Sequence, residues 1–480
     1  MVHEVRIRRS AAEILALSAL AMLVVVVPLV PGRLILGKVP IDAVTLAVPL
    51  ALAAAYPFLR KLGPRRLPSL LLEVPALAFL AVAAVGVLFA LDRTGSALTL
   101  ARYAAYFALA AVVAAVCVRP ANRRALAWAA AGGAAVTVVQ AGVQYLHPSG
   151  TETSFGFSEA VAARVVGSFG NPNPYAEYLV VVLAIVAALV LTERKAWRVV
   201  AGVVLAGSLV ALALTYTRGS WLALLAGVLV ASAIVDIRWF AAFAAGGAAL
   251  LALVPGGLQR LTSAFTVQGG ASARVPLWKL ALQMIRLHPV TGVGLGGYRK
   301  ALIAQVHETP SMLPTGVLPF TAHDSYLMMT AETGVPGGLV FVWLIGRALR
   351  VCGIYAVRLG RGSTDWLRHA AFTAGIVGFS ANAVTNNAFQ DPRGATMFWV
   401  LTGLMAANGA VAVAGRAGGE GTAGDESAPV AAARPGIAGA LWSLPRTRGR
   451  LLIDSPVGPF VLGAGASEDD ATLDAWNGVA

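Results

Sequence analysis

A dozen apolar stretches, each about as long as a bilayer is thick, constrain this chain more than any other feature. They lie near Ala12 to Val30, Ile41 to Leu59, Leu72 to Leu91, Leu98 to Val118 and Ala125 to Leu146, then near Tyr175 to Leu191, Val199 to Tyr216, Trp221 to Val235 and Trp239 to Val254. After a long interruption three more follow, near Ser325 to Ile345, Ala371 to Ala388 and Thr396 to Val413. Crossing roughly 30 Å of hydrocarbon takes about 20 residues of helix, and lipid offers no partner to a bare peptide group. Only 12% of the residues are charged, about half the ordinary share. The expected fold class is therefore an all-α polytopic membrane protein with about twelve transmembrane helices.

The formal charge of +14 does not point to nucleic acid, because the cations are scattered between apolar runs rather than gathered on one polar face. Their distribution reads as topology. Alternate connections hold Arg60, Lys61, Arg65 and Arg66, then Arg119, Arg123 and Arg124, then Arg194, Lys195 and Arg198, and finally Arg347, Arg350, Arg358, Arg361 and Arg368. Short loops rich in Lys and Arg stay in the cytoplasm, which places both termini there. The first run follows Arg6, Arg8 and Arg9, but it is longer than a signal-peptide core and no clear cleavage site succeeds it, so an uncleaved first span is expected.

Four segments result. Residues 1–254 hold helices one to nine, 255–322 form a large extracytoplasmic loop, 323–414 hold helices ten to twelve, and 415–480 form a cytoplasmic tail. The tail is rich in Gly, Ala, Ser and Pro, with an acidic patch at Glu468, Asp469 and Asp470, and such a composition is expected to be disordered. Cys117 and Cys352 lie far apart in or beside apolar runs and support neither a disulfide framework nor a metal site.

The loop carries the chemistry. Arg260, Arg274, Lys279, Arg286, Arg299 and Lys300 stand there against one carboxylate, Glu308, against the positive-inside trend that long loops escape. Such a surface invites an anionic partner. Pro276 to Leu287 reads as a helix with proline in its first turn, with Lys279, Gln283 and Arg286 on one face and Trp278, Ala281, Met284 and Ile285 on another. This suits a helix lying along the outer membrane interface, or a cap over the bundle with no chemistry of its own. Arg274 just before it, and Arg218 in the short outer turn Thr217-Arg218-Gly219, either snorkel to water or grip an anion, and two guanidinium forks suit a diphosphate.

Thr321 and Asp324 have the spacing of a helix capping box, which would put His323 in a first turn where the positive dipole end favours neutral imidazole. Glu332, further along the same helix, falls on roughly the opposite face from His323 and is expected as a structural partner inside the bundle. Gly292, Gly294 and Gly297 satisfy G-x-G-x-x-G without the strand that a dinucleotide fold requires, so they are read as a tight turn. Gly170-Asn171-Pro172-Asn173-Pro174 is either a turn and helix start or a pair of amides that hold sugar hydroxyls.

Taken in order, several of these pieces resemble the O-antigen ligase and O-antigen polymerase superfamily of bacterial envelope glycosyltransferases. The carrying residues are Gly167-Ser168-Phe169-Gly170-Asn171-Pro172-Asn173, Thr217-Arg218-Gly219-Ser220-Trp221, Arg274 with Trp278, His288-Pro289-Val290-Thr291-Gly292-Val293-Gly294, and His323-Asp324-Ser325-Tyr326 followed by Glu332-Thr333-Gly334. The resemblance implies a GT-C-like bundle that moves a glycan from a polyprenyl-diphosphate carrier to a hydroxyl of a glycan, lipid or other acceptor among membrane lipids. It implies no cofactor, neither nucleotide sugar nor metal. Matched by motif, Arg218 and Arg274 would hold the diphosphate and His323 would orient or deprotonate the acceptor, with Asn171, Asn173, Trp278 and Tyr326 binding substrate. Asp324 stands where Asn or Ser is common, which bears on acceptor choice. The rival expectation is a transporter or flippase of the same broad superfamily, for a lipid-linked glycan or a bicarbonate-like ion. A non-catalytic assembly subunit is a third.

Overall fold

The computed structural model describes residues 9–30, 34–36, 39–63, 68–147, 164–262, 272–308 and 321–420. The chain divides into a compact unit, Met1–Glu420, and a second, Gly421–Ala480. The second unit, and with it the expected disordered tail beyond Glu420 and its acidic patch, lies outside the described residues. So do Arg6, Arg8, Arg65 and Arg66, and the parts 263–271 and 309–320 of the basic loop.

Every one of the twelve expected runs has a helix. They are α1 (Ala11–Val26), α2 (Ala43–Leu62), α3 (Glu73–Leu88), α4 (Arg93–Val116), α5 (Pro120–Leu146), α6 (Pro172–Thr192), α7 (Lys195–Leu214), α8 (Arg218–Val235) and α9 (Arg238–Leu253). Three shorter helices follow, α10 (Gly257–Thr262), α11 (Ser272–Leu287) and α12 (Tyr298–Glu308), and then α13 (Ser325–Arg358), α14 (Thr364–Asn382) and α15 (Pro392–Glu420). Among the described residues seven helices, α2, α4 to α8 and α13, are long and apolar enough to cross a membrane. The 16-residue α1, α3 and α9 are apolar but shorter. Buried His369, Thr373 and Asn382 lower the hydropathy of α14, and α15 carries Arg393, Thr396, Thr402 and Asn408 buried among its neighbours. Neighbouring helices shield these side chains, the usual arrangement for polar groups at membrane depth.

One element departs from the all-α expectation. The strands β1 (Leu34–Leu36) and β2 (Val39–Ile41) pair antiparallel with Leu34 opposite Ile41. Short apolar runs two residues apart with glycine between them carry a hairpin signal, which the search for long apolar runs passed over. The second helix starts after it, capped by Asp42 through a hydrogen bond from the Val44 amide at 2.8 Å.

The core is centred on α6, buried on all sides from Tyr175 to Val186, as expected of a helix that is apolar all round. Around it pack α14, α7, α5 and α15. Small residues let α8 meet α14 closely. A Cβ on Gly227 would collide with the Ala374 carbonyl, the usual device where lipid provides no hydrophobic drive between helices. Aromatic rings of Phe79, Tyr103, Phe107, Phe341, Phe389 and Trp399 interlock α3, α4, α13 and α15. Facing outward, α9 buries none of its residues and α7 exposes Val199 and Val203, surfaces suited to hydrocarbon.

The thirteenth helix is broken. Gly334 has φ +73°, two residues before Pro336, and the break is filled by the chain between α11 and α12. Val293 and Gly294 donate to the Ala331 and Glu332 carbonyls at 3.0 Å, and Val335 donates to the Pro289 carbonyl at 2.8 Å. Glu332, 2% exposed, accepts from the Tyr298 amide at 3.3 Å, in keeping with the expected structural role. A Cβ on Gly334 would strike the Val290 carbonyl oxygen, so close approach and positive φ both require glycine there. Gly334→Ala is expected to destabilise the folded protein by about 1–3 kcal/mol, seen as a lowered midpoint of thermal unfolding in detergent. Gly346→Ala, where nothing lies within 4 Å, should leave the midpoint unchanged or raise it.

Candidate active site at one end of the bundle

Four segments distant in sequence meet where α6, α8 and α13 begin. The α8 segment is held by the turn Thr215-Tyr216-Thr217, in which Tyr216 has φ +51°. Non-glycine residues hold such angles only where packing enforces them. Here the Tyr216 hydroxyl donates to the Pro255 carbonyl at 2.9 Å and the Trp221 indole donates to the Leu212 carbonyl at 3.0 Å. Arg218 follows as the first helical residue.

Arg164 braces this turn. Its Nε donates to the Thr215 carbonyl at 2.7 Å, and Nη2 donates to Thr217 Oγ1 at 3.1 Å and Asn173 Oδ1 at 3.3 Å. Thr217 Oγ1 lies 3.2 Å from the same Asn173 oxygen. Asn171 caps α6, accepting from the Asn173 amide at 2.9 Å. The turn and helix start are observed for these asparagines, with both side-chain oxygens bonded within the protein.

The histidine segment is locked to the turn after α14. Ser325 donates its amide to the Ala383 carbonyl at 2.8 Å and its hydroxyl to the Asn386 carbonyl at 3.1 Å. Ser220 of α8 donates to Asn382 Oδ1 at 3.2 Å. The turn after Asn382 thus carries the starts of both α8 and α13, a role the motif reading missed. Two asparagines four residues apart in an apolar run, Asn382 and Asn386, were its signal.

Asp324, not Thr321, caps α13. Its Oδ1 accepts from the Tyr326 and Leu327 amides, both at 2.9 Å. The expected capping box is therefore displaced, because a carboxylate that reaches two free amides at the positive helix end is the better cap. His323 lies just before the helix, with φ +50°, and not in its first turn as expected. Burial, and then the Arg274 charge, push its pKa down to about 4. The Tyr326 hydroxyl donates to the Ser380 carbonyl at 2.9 Å, so this side chain ties α13 to α14.

Arg274 arrives on the first turn of α11, which starts a turn earlier than expected. The apolar face of that helix is covered by protein. Leu280, Ala281 and Met284 pack with Ala322, Met328 and Ala331, so α11 caps α13 instead of presenting that face to lipid. Trp278 lies one turn along from Arg274 on the same face. Its indole Nε1, like His323 Nδ1, is buried without a hydrogen-bond partner among the described residues.

Electrostatics joins these pieces. Arg274 is within reach of the Arg260, Asp324 and His323 charges, and Arg164 of the Arg260 and Arg218 charges. Burial lowers the pKa of Arg260 and Arg274, the latter also through Arg260. Burial and its two arginine neighbours bring Arg164 down to about 10, still protonated at neutral pH. Among the described residues the carboxylate facing this group is Asp324, whose pKa burial raises while two amides and Arg274 pull it back. Four crowded guanidiniums repel one another, and an anion of high charge would relieve them. The structure therefore brings Arg218, Arg274 and His323 into one neighbourhood and adds Arg164 and Arg260. Arg164 sits outside every motif used above, and Arg260 was noted only as one cation of the loop.

The apolar helices, with this cationic rim, define a multi-pass membrane protein. Residues 203–342 match the family model described as O-antigen ligase, a match that supports a membrane glycan-processing role of the O-antigen ligase or polymerase type. The matched span contains Arg218, Arg260, Arg274, Trp278, His323 and Tyr326. No curated protein matches the chain.

Because Asp324 satisfies two amides, Asp324→Ala should cost about 0.5–2 kcal/mol of stability. Asp324→Asn, which keeps an acceptor, should recover most of the loss. Thermal unfolding of the two variants side by side separates capping from charge.

Proposed function

We propose that this protein transfers a glycan from a polyprenyl-diphosphate carrier to an acceptor hydroxyl, with the arginine-rich rim on the extracytoplasmic side of a bacterial cytoplasmic membrane. The observation that carries this reading is the convergence of Arg164, Arg218, Arg260 and Arg274 with His323 at one end of the helices. The opposite end gathers Arg123, Arg124 and Arg368 with Glu193 and Asp365. These cations come from the short loops that the positive-inside rule assigns to the cytoplasm.

The chemistry needs little more. The bond between the anomeric carbon and the diphosphate oxygen breaks, its electron pair leaving with the diphosphate, and the guanidiniums neutralise the growing charge. The acceptor oxygen bonds to the anomeric carbon, and its proton passes to the imidazole of His323. A base kept neutral by burial beside cations is ready at any physiological pH.

The break in α13 is the feature that favours transport, since broken helices form substrate sites in transporters. Here the freed carbonyls of Ala331 and Glu332 are already taken by Val293 and Gly294, which supports the transfer reading over transport.

In proteoliposomes holding a lipid-linked glycan and acceptor, Arg218→Ala and Arg274→Ala should each lower transfer by about 10²–10³-fold, and His323→Ala by about 10²–10⁴-fold. Wild-type rates in all three, with the proteins normally inserted, would end the catalytic assignment. Substrate movement without glycosidic bond formation would favour transport.

The acid limb of kcat/KM should fall near pH 4, where His323 takes up a proton. Arg274→Gln removes a like charge, so the imidazole pKa rises and the limb moves to higher pH. An unmoved limb would assign it to another group. Single transfer and polymerisation are distinguished by the envelope glycans of a deletion strain, which should accumulate unattached lipid-linked chains in the first case and single repeat units in the second.

A further inference from the structure

At the far end of α6, one helix length from the arginine–histidine rim, a cavity of about 230 Å³ opens between the start of α5, the end of α6 and the start of α14. Arg123, Arg124, Glu193 and Arg368 line it together with Ala121 and Thr192. Nothing in the transfer reaction uses it.

The decisive group is Arg123. It is 2% exposed, and its Nη1 donates to the Ala407 carbonyl at 3.1 Å. Its Nε and Nη2 have no hydrogen-bond partner among the described residues. The nearest carboxylate, Asp365, stands 3.7 Å from Nη2 and is engaged by Arg368. Glu193 is likewise taken, accepting from Arg124 Nη2 at 3.0 Å and from the Trp128 indole at 3.2 Å. Three guanidiniums therefore meet two committed carboxylates. A buried guanidinium with unanswered N–H groups is costly, and an anion in the cavity removes that cost.

The surroundings indicate which anion. Trp197, 55% exposed, packs on Trp128 with ring centroids 5.2 Å apart, and Arg124 lies 5.8 Å from the Trp197 ring. Exposed Arg194, Lys195 and Arg198 follow Glu193 directly. Tryptophan pairs and basic residues at helix ends mark the headgroup level of a membrane, where basic pockets between helices receive lipid phosphates. The cavity is below the ~300–1,000 Å³ of a drug-sized site yet has room for a phosphate group, since a water occupies about 30 Å³. The N-terminus of α5 adds its dipole in the same sense.

We propose that this cavity is an anion site for a phosphate group, drawn from a lipid headgroup or from solution, with Arg123 as its buried anchor and Arg124 and Arg368 at its sides. It lies on the opposite end of the protein from the transfer site and is independent of it.

Detergent-purified, delipidated full-length protein is titrated with short-chain phosphatidylglycerol, with short-chain phosphatidylcholine, and with inorganic phosphate, following the midpoint of thermal unfolding. Arg368→Gln removes one arm of the site. Ala121→Glu places a carboxylate at the mouth, on an exposed position, and should fold as the wild type does. The expected result is stabilisation by phosphatidylglycerol or by phosphate, with apparent affinity about tenfold weaker in both variants. Stabilisation by phosphatidylglycerol alone assigns the source to a lipid headgroup, and stabilisation by phosphate alone assigns it to solution. Equal responses of wild type and Ala121→Glu to every probe, or a response to phosphatidylcholine as large as to phosphatidylglycerol, would overturn the proposal.

Discussion

The hydrogen bonds that fill the break in α13 are the interaction on which the rest of the site depends. A helix interrupted at membrane depth leaves carbonyls that lipid cannot satisfy. The segment between α11 and α12 supplies Val293 and Gly294 as donors and takes the Val335 amide in return. Through that exchange α11 is laid across the first half of α13, with Leu280, Ala281 and Met284 sealing the contact. Arg274, at the start of α11, is thereby brought beside His323, just before the start of α13. A backbone requirement of the membrane thus becomes the positioning device of a rim residue.

The two ends of the bundle treat charge differently. At one, Arg124 and Arg368 pair with Glu193 and Asp365, and Arg123 is enclosed between helices with Asp365 3.7 Å away. At the other, Arg164, Arg218, Arg260 and Arg274 crowd together beside one facing carboxylate among the described residues, Asp324. Such a concentration of like charge works against folding unless it is used. Tyr216 and His323 both hold left-handed angles that only surrounding structure sustains, as do Leu71 and Lys195 elsewhere in the bundle. Crowded like charge at one place is what a site prepared for a diphosphate would show.

Several side chains singled out by motif serve this arrangement indirectly. Asn173 and Thr217 hold Arg164, Asn171 caps α6, Tyr326 ties α13 to α14, and Asp324 caps α13. Their oxygens are committed within the protein, so their visible contribution is to hold Arg164, Arg218 and His323 in register. Trp278 and His323 differ, each keeping a buried nitrogen without a partner among the described residues.

The order and approximate ends of the helices were legible in the chain itself, because apolar run length is a local property and hydrocarbon admits one backbone solution for it. The candidates Arg218, Arg274 and His323 were legible too, as polar groups placed at the ends of apolar runs and matched to a family pattern. What only the tertiary structure decided was company and register. Arg164 joins Arg218 across more than fifty residues of chain, through two hydrogen bonds at the shared turn, and Asn382 meets Ser220 in the same way. The cap of α13 shifted from Thr321 to Asp324 because the choice rests on which oxygen reaches two amides, a matter of ångströms that residue spacing does not express. Local composition sets which segments become helices; which of their ends meet is settled by packing between segments far apart in sequence, as at Gly227 against Ala374.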